Sequence, residues 1–305
     1  MKNKAKVVVI GGGVVGVSTL YHLAKKGWSD LVLCERKELT SGSTWHAAGL
    51  MPLFNMSYSV GQIHKYSVKF YQELEKETGQ DVGFRQVSNI RLAENQDRMD
   101  EYRQYAGVAE TIGVKVNFLT PEEVQKVWPL CSTEGLVGAI QHPEDGYIQP
   151  ADLTQALATG ARNRGAEIYR NTTVVGMKQT KDGWVVETDK GSIECEHIIS
   201  CSGNFARQTG KMVGLDIPVI PVEHQYIVTE PHPEIQKRKK EGLPEMGVLR
   251  DSDSRWYMRE EAGGLILGPY EDGAPCCYVD GPSKDSEYEL FQEDLDRLAP
   301  HIEGA

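Results

Sequence analysis

Three glycines near the start of the chain have the spacing of a dinucleotide-binding turn. Gly11, Gly13 and Gly16 fit the pattern G-x-G-x-x-G. The glycines of this pattern permit a tight turn, a close approach to a pyrophosphate, and close packing of a helix on a strand. Glu35, 19 residues after Gly16, follows an apolar run and is placed to bind the ribose hydroxyls of adenosine. The motif predicts a dinucleotide site without separating FAD from NAD. Glu35 disfavours NADP, although the neighbouring Arg36 weakens that inference.

A loop at residues 41–49 combines small side chains with one imidazole. Its sequence, SGSTWHAAG, would let a flat ligand approach closely, and His46 stands alone among small residues. From chemistry alone two interpretations of His46 are open. It is either a histidine held by hydrogen bonds in the loop, which the residues by themselves favour, or a reactive group beside a ligand.

The elements around these residues alternate as in an α/β fold. The β-branched run at 7–10 predicts a parallel strand that is buried on both faces. Residues 14–26 have the apolar spacing of a helix, and 31–34 form a second apolar run. The chain therefore opens with one βαβ unit, and the glycine turn joins its first strand to its helix.

The rest of the chain predicts further helices and a second sheet. An apolar run at 197–201, which ends in Ser202 and Gly203, predicts a late strand of the first sheet, so that domain is discontinuous. Helices are expected at 57–78, 95–112, 150–164 and 285–298, a hairpin meander between 173 and 196, and a solvated loop at 237–240. Strands are expected at 84–93, 135–142, 219–229, 256–259 and 265–267, the last three in an antiparallel sheet.

Composition and charge argue against several classes of function. With 33 Lys and Arg against 44 Asp and Glu the net charge is −11, and nucleic-acid binding depends on cations that neutralise phosphates. The six cysteines lack the spacing of a zinc site, so no metal is expected, and their scatter favours a reducing compartment. The apolar run at 7–20 contains four glycines and is too short to span a bilayer, so no membrane association is expected. A cytoplasmic location is favoured, and a mature mitochondrial matrix protein would look the same.

Four motifs together resemble a known family. They are the glycine turn, residues 42–50 (GSTWHAAGL), residues 224–226 (HQY) and residues 256–259 (WYMR). This set resembles the flavin domain of the dimethylglycine and sarcosine dehydrogenases, which belong to the D-amino-acid-oxidase-like (glycine oxidase type) flavoproteins. The resemblance runs over essentially all 305 residues. The Ser-Thr-Trp-His stretch is specific to this branch, whereas the glycine motif is common to many dinucleotide binders.

The resemblance implies FAD as the cofactor, extended across the first sheet. His46 matches the histidine that is attached covalently to the 8α-methyl group of the flavin, and a neutral imidazole nitrogen is a competent nucleophile for that bond. The remaining FAD contacts implied by the resemblance are Ser43 and Thr44 beside the pyrophosphate or ring, the backbone of Val174 at the adenine, and Ser202 with Gly203.

The resemblance also implies a reaction, the oxidation of an N-methyl amine such as dimethylglycine or sarcosine by hydride transfer to the flavin. His224 and Tyr257 match positions that line the substrate pocket. His224 would lower the pKa of the amine or accept its proton, and Tyr257 would orient the substrate or bind its carboxylate. Arg259 lies on the same strand face as Tyr257 and is a further candidate anion binder. The alternatives are a histidine satisfied inside the sheet for His224 and a surface salt bridge for Arg259.

The implied architecture is a Rossmann-like FAD-binding domain interleaved with an antiparallel-sheet substrate domain, of class α/β (α+β). We expect residues 1–82 and 140–215 in the FAD-binding domain and residues 83–139 and 216–305 in the substrate domain. The segment that closes the FAD site and the folate-binding region of the family are not visible in these residues. We therefore expect a truncated piece or a short variant of such an enzyme, with tetrahydrofolate as a ligand only where that region is present.

The implied partners are a small N-methylated amino acid as substrate and either electron-transfer flavoprotein or oxygen as the electron acceptor. No motif in the chain decides between the two acceptors. Two other functions stay open from the sequence. One is an NAD-linked dehydrogenase, and the other is a non-catalytic flavoprotein subunit whose site is completed by another chain.

Overall fold

The computed structural model describes residues 1–305, which form eight helices and fifteen strands. The helices are α1 (Val14–Lys25), α2 (Tyr58–Thr78), α3 (Gln96–Ile112), α4 (Pro121–Val127), α5 (Pro150–Arg162), α6 (Ala206–Lys211), α7 (Pro233–Lys240) and α8 (Leu295–Gly304). The strands are β1 (Lys4–Ile10), β2 (Leu31–Cys34), β3 (Leu50–Met51), β4 (Asn89–Ala93), β5 (Asn117–Leu119), β6 (Gly138–His142), β7 (Gly146–Tyr147), β8 (Glu167–Tyr169), β9 (Val174–Thr180), β10 (Gly183–Thr188), β11 (Gly191–Ser200), β12 (Ile227–Val228), β13 (Val248–Asp251), β14 (Trp256–Glu261) and β15 (Gly264–Pro269).

The first sheet has six strands in the order β8-β2-β1-β11-β10-β9. The four strands β8, β2, β1 and β11 are parallel neighbours, and β9 to β11 form an antiparallel meander. Val8, Val9 and Val32 are completely buried, because the sheet is covered on both faces and only apolar side chains fit there. Helices α1, α2 and α5 contribute to the core on one face. The predicted α/β class is confirmed.

The second sheet has seven strands in the order β12-β15-β14-β13-β4-β6-β5. All neighbours are antiparallel except β13 and β4. Its back face is apolar, because Ile90, Leu249 and Met258 pack there against side chains such as Val124 of α4 and Ile235 of α7. Its front face carries the alternate residues of the same strands, many of them polar. The strand period of two thus separates a core face from a face that is available for chemistry.

Two expected elements are wrong in place or type. The helix expected at 285–298 begins at Leu295, because the side chain of Asp294 caps it by accepting from the Arg297 N–H at 3.0 Å. The solvated loop expected at 237–240 is the last turn of α7, which starts at Pro233 and buries Ile235. Several strand bounds also contract, and the run expected as a strand at 219–229 keeps only β12.

The chain passes from the second sheet back to the first through a short connection after β6. Strand β6, up to His142, belongs to the seven-stranded sheet, and α5 from Pro150 packs on the six-stranded one. The two-domain division at the expected bounds remains a prediction. None of the helices combines the length and hydropathy that a bilayer crossing needs.

Candidate active site

The glycine turn lies where β1 passes into α1. Gly11 has a φ of 110°, and a Cβ there would collide with the carbonyl oxygen of Cys201 at the end of β11. A Cβ at Gly16 would collide with the carbonyl oxygen of Gly11. The N-cap residue of α1, Gly13, has no side chain of its own to cap the helix, and a helix N-terminus that follows such a turn attracts an anion.

Glu35 is tied to this turn. It follows β2 directly and is buried, its Oε2 accepts from the Gly12 N–H at 2.6 Å, and its Oε1 accepts from the Lys37 N–H at 2.8 Å. Burial raises the pKa of the Glu35 carboxyl, and the two backbone N–H groups oppose that shift. Each oxygen keeps a second lone pair for a ribose hydroxyl. The Thr172 N–H donates to the Glu35 carbonyl oxygen at 2.8 Å, which brings Val174 to the same edge of the sheet.

Arg36 lies between two loops. Its guanidinium carbon is 4.2 Å from the centre of the Phe205 ring, Nη1 donates to the Ser286 carbonyl oxygen at 3.0 Å, and Nη2 is buried without a partner. Burial lowers the pKa of Arg36. The buried, unused Nη2 donor leaves Arg36 able to bind a further acceptor at this edge of the site.

The 41–49 loop contacts both helix α1 and the turn that follows β11. The Val14 N–H of α1 donates to Thr44 Oγ1 at 3.0 Å, and Ser43 Oγ donates to Asn204 Oδ1 at 3.4 Å. The second contact joins the loop to the Ser202-Gly203 turn after β11. These elements therefore meet at the carboxyl ends of the parallel strands, where ligands bind in open α/β sheets.

His46 has a ring that no hydrogen bond holds. Its only ring neighbour is Trp45, at 4.2 Å between centroids, and Trp45 in turn meets the edge of Tyr288 at 5.5 Å. Burial lowers the pKa of His46, so the imidazole is neutral at pH 7. The alternative of a histidine held by hydrogen bonds in the loop is not what the structure shows.

Tyr257 lies on the front face of the second sheet. It is buried, and a Cβ at its cross-strand neighbour Gly268 would collide with its ring, so the ring lies flat across β15. Tyr270 meets this ring edge-on at 5.8 Å. Burial raises the pKa of Tyr257 to about 12, and its hydroxyl is a neutral group that makes no hydrogen bond within the protein.

Sequence reasoning missed two arginines of the same face. Arg250 and Arg91 are directly paired across β13 and β4, and neither has a carboxylate within ion-pair distance. Arg250 donates to the Tyr270 hydroxyl and lies over the rings of Tyr257 and Tyr270, at 5.9 and 5.3 Å. Arg91 makes no hydrogen bond, and its guanidinium lies 4.3 Å from the centre of the Phe54 ring.

We call Arg91 and Arg250 the arginine pair. Burial and then repulsion by Arg250 lower the pKa of Arg91 to about 10, so Arg91 stays charged at pH 7. Two adjacent, unpaired cations at low exposure form a site for an anion. The sequence did contain a signal for them, because each arginine interrupts an apolar strand segment (IRL at 90–92 and LR at 249–250). Side chains alternate between the two faces of a strand, so each arginine lies on the face opposite the core.

Arg259 has protein partners for all three guanidinium nitrogens. Nε and Nη2 donate to the Ala48 carbonyl oxygen at 3.3 and 3.2 Å, and Nη1 forms an ion pair with Glu261 at 2.7 Å. The guanidinium also lies 4.2 Å from the centre of the Tyr147 ring. The salt bridge of the expected alternative is therefore present, although Arg259 itself is buried and not on the surface. These contacts hold the 41–49 loop on the second sheet. The role of Arg259 as an anion binder remains a prediction.

His224 lines a cavity of about 480 Å³ together with Tyr270 and Glu271. Its ring stacks on Tyr270 at 6.4 Å and makes no hydrogen bond, so it is not a histidine satisfied inside the sheet. Burial lowers the pKa of His224, Glu271 opposes that shift, and Arg297 adds to it. Tyr270 contacts His224, Tyr257 and Arg250, so these three residues belong to one surface. Arg250 is the one that the sequence analysis did not single out.

A family model described as "DAO: FAD dependent oxidoreductase" matches residues 6–304. The chain belongs to this family. Membership in a family of FAD-dependent oxidoreductases implies FAD as the cofactor, and so resolves the choice between FAD and NAD that the glycine turn left open.

Three curated relatives illustrate its place among the FAD-dependent oxidoreductases. The chain is 43% identical to dimethylglycine dehydrogenase of Rattus norvegicus, with 100% of this chain and 36% of the relative covered. It is 36% identical to sarcosine dehydrogenase of Homo sapiens, with 100% and 33% covered. It is 35% identical to the pyruvate dehydrogenase phosphatase regulatory subunit of Mus musculus, with 97% and 33% covered. The chain spans about a third of the length of each. The resemblance drawn from the four motifs is confirmed.

A solved structure has the same fold. L-proline dehydrogenase from P. horikoshii superposes with a TM-score of 0.81 at 24% identity, covering 99% of this chain and 76% of that one. At this identity the likeness concerns the fold alone.

The residues present fit FAD. The N-terminus of α1 follows a glycine turn that carries no side-chain cap of its own, Glu35 has lone pairs at that turn, and Arg36 has a buried, unused donor. The contacts described above bring the predicted cofactor residues to one edge of the sheet: Gly11, Gly13, Gly16, Ser43, Thr44, His46, Ser202 and Gly203.

Proposed function

We propose that this chain forms the FAD-binding and substrate-binding part of an enzyme that oxidises an N-methylated amino acid of the dimethylglycine or sarcosine type. The observation that carries the proposal is the unpaired arginine pair on the sheet face that meets the 41–49 loop. A substrate with a carboxylate supplies the missing anion, and the neutral His224 lies on the same surface. The identities to dimethylglycine and sarcosine dehydrogenases support the same substrate class.

The cofactor side of the site has separate tasks for its residues. The glycine turn and the α1 N-terminus would hold the pyrophosphate, Glu35 the ribose, and His46 would tether the flavin covalently. FAD, when bound, supplies the hydride acceptor. Because His46 is neutral and has no hydrogen bond, its nitrogen lone pair is free for such a bond.

The substrate side positions and deprotonates the amine. The arginine pair binds the carboxylate, and the neutral Tyr257 hydroxyl donates a hydrogen bond that orients the substrate. An ammonium group must lose its proton before a C–H bond next to nitrogen can release hydride. The lowered pKa of His224 keeps its imidazole neutral at pH 7, so it accepts that proton.

The wider setting follows the relatives. The dimethylglycine and sarcosine dehydrogenases are described as mitochondrial, which accords with a mitochondrial matrix location. The cytoplasmic location remains a prediction. Electron-transfer flavoprotein as the acceptor and tetrahydrofolate as a further ligand also remain predictions, because no residue described above is assigned to either.

Anaerobic reduction of the FAD-loaded protein tests the proposal. Dimethylglycine is expected to bleach the flavin absorbance, whereas N,N-dimethylethylamine, which lacks the carboxylate, is expected to react far more slowly. Replacing Arg250 by methionine should lower kcat/KM for dimethylglycine about 10- to 100-fold, the cost of a hydrogen-bonded charge contact. Arg103→Met, on an exposed face of α3, is the matched control.

A second function has one observation in its favour. The regulatory-subunit relative covers the same residues at 35% identity, which supports the alternative of a flavoprotein subunit without oxidase or dehydrogenase activity. Stoichiometric FAD that no N-methyl amine reduces would favour this alternative and reject the enzyme proposal.

A further inference from the structure

The backbone around His224 has little support from secondary structure. Residues 224–226, which carry the motif HQY, lie just before strand β12 and belong to no helix or strand. The Glu223 N–H donates to the Pro275 carbonyl oxygen at 2.9 Å, whereas residues 224–226 make no backbone–backbone hydrogen bond. The position of His224 therefore depends on the side chains that flank it.

Exposure alternates along residues 223–226. His224 and Tyr226 are exposed, whereas Glu223 and Gln225 are half-buried. Successive side chains of an extended chain point to opposite sides. Glu223 and Gln225 therefore point away from the side on which His224 stacks on Tyr270.

The Gln225 side chain connects this segment to helix α8. Its Nε2 donates to the Asp294 carbonyl oxygen at 3.1 Å, and its Oε1 accepts from the Asp294 N–H at 3.1 Å. The same Nε2 donates to Glu271 Oε1 at 2.6 Å. Both hydrogens of the amide nitrogen are used in these contacts. They join the HQY motif to the N-cap residue of α8 and to the residue that follows Tyr270.

Arg297, in the first turn of α8, forms ion pairs on the same side of the segment. Its Nε lies 2.9 Å from Glu271 Oε1, and its Nη1 lies 3.5 Å from Glu223 Oε2. The Glu271 side chain is 1% exposed and that of Arg297 is 17% exposed, so solvent and salt screen this pair weakly. Without the guanidinium, Glu271 would be a buried charge with no ion-pair partner. Arg297 thus holds Glu223 directly and Gln225 through Glu271, and these are the two residues that flank His224.

We propose that Arg297 is a positioning residue for His224. The inference rests on the role proposed for His224 as the base that accepts the amine proton. The ion pairs of Arg297 fix the residues before and after His224 on the side that faces α8, so the imidazole is held against Tyr270. A base must lie within hydrogen-bond reach of the proton it accepts, and a misplacement of about 1 Å can lower a rate about 100-fold. In this role Arg297 touches neither the substrate nor the flavin and acts through His224 alone.

Anaerobic stopped-flow reduction of the FAD-loaded protein by dimethylglycine tests this role. In Arg297→Met the limiting rate of flavin reduction should fall about 10- to 100-fold. The apparent Kd for dimethylglycine should change little, because the arginine pair binds the carboxylate. In a His224→Ala background, the same Arg297→Met substitution should lower the rate no further, as expected when one residue acts through the other.

The ring protons of His224 give a readout that does not depend on turnover. Their NMR resonances are shifted by the stacked Tyr270 ring and are assigned by their loss in His224→Ala. They should move toward the positions of free histidine in Arg297→Met. Gln225→Met removes the connection to α8 from the other side and should have the same effects on the resonances and on the rate. It decides the matter if Arg297→Met does not fold.

Leu298→Ala is the matched control. It removes a buried side chain of the same helix, so it should lower the temperature of unfolding and leave both the limiting rate and the His224 resonances unchanged. An equal fall in rate in Leu298→Ala, or an unchanged rate in Arg297→Met or Gln225→Met, would overturn the positioning role and leave the proposed reaction intact. So would a further fall in the double variant as large as that in Arg297→Met alone.

Two other outcomes separate this inference from the proposed function. An unchanged rate in His224→Ala would reject His224 as the base, and the positioning role with it, while dimethylglycine would remain the substrate. Failure of dimethylglycine to reduce the unaltered protein would instead reject the proposed function, and this inference with it.

Discussion

Several residues of the site lack a partner within the protein. The rings of His46 and His224 make no hydrogen bond, and burial lowers the pKa of both. An imidazole kept neutral in this way retains a nitrogen lone pair for a covalent bond or for a proton. The arginine pair likewise lacks an anion. These groups therefore keep lone pairs or donors that a ligand can use.

The tether is tested at His46. The unaltered protein should give a fluorescent band on a denaturing gel, because covalent FAD stays with the chain, and His46→Ala should give a dark one. His232→Ala, which removes only the cap of α7, should keep the fluorescence. A dark band for the unaltered protein, when the native protein is yellow, would show that FAD binds without His46 as a tether.

At the scale of elements, the cofactor edge depends on how closely a helix approaches a strand. The first turn of α1 rests on the β1 turn through Gly16, whose missing Cβ is the space that the Gly11 carbonyl oxygen fills. The helix N-terminus points at the predicted pyrophosphate position only while this contact exists. The anion site therefore depends on the packing of α1 against the β1 turn.

Gly16→Ala tests this coupling of packing and binding. The added methyl group should displace α1, lower the free energy of unfolding by about 1–3 kcal/mol, and reduce the FAD content measured by flavin absorbance. Gly107→Ala in α3 places a methyl group where nothing lies within 4 Å, and should be neutral or stabilising with full FAD. Full FAD content in Gly16→Ala would contradict the proposed contact.

For the whole molecule, the decisive feature is the way the two sheets share the 41–49 loop. Residues of this loop reach the α1 N-terminus through Thr44 and the second sheet through Ala48, which Arg259 holds by two N–H donors. The β3–β7 ribbon continues the same connection. The flavin tether and the substrate face are thus placed relative to each other by one loop.

Arg259→Lys separates a loop-holding role from substrate binding. Lysine cannot reproduce the two-donor contact, so the covalently bound fraction of flavin should fall and the free energy of unfolding should drop by about 1–3 kcal/mol. The KM of the remaining active enzyme should change little. A large rise in KM with full covalent flavin would show that Arg259 binds the substrate carboxylate. Arg103→Lys, in an exposed ion pair, is the control and should change stability by under about 0.5 kcal/mol.

The stability of the molecule in acid depends on His142. This completely buried side chain has its pKa lowered to about 3 by burial and Arg91, against about 6.5 in an unfolded chain. Its depressed pKa means that its contribution is present above pH 6.5 and is lost as the pH falls. Between pH 6.5 and 4.5 the unaltered protein should lose about 1.4 kcal/mol per pH unit relative to His142→Gln, measured by urea unfolding. The exposed His232→Gln should show no such difference, and parallel pH profiles for the unaltered protein and His142→Gln would refute the assignment.

The sequence alone determined the local parts of this protein. The spacing of Gly11, Gly13 and Gly16, the β-branched run before them and Glu35 after β2 specify a βαβ unit, because each depends on neighbours within a few residues or on one turn of helix. The four motifs were sufficient for the family. Helix ends with strong caps, such as Ser57 before α2, were also predictable.

Only the tertiary structure decided which residues share the substrate face. Strand alternation shows that Arg91 and Arg250 each lie opposite an apolar face, but their pairing requires β4 and β13, more than 150 residues apart, to lie side by side. Arg259 looked equivalent to Tyr257 by the same alternation, and its contact with Ala48 appears only when the loop folds over the sheet. Local patterns specify elements, and long-range packing brings charges together.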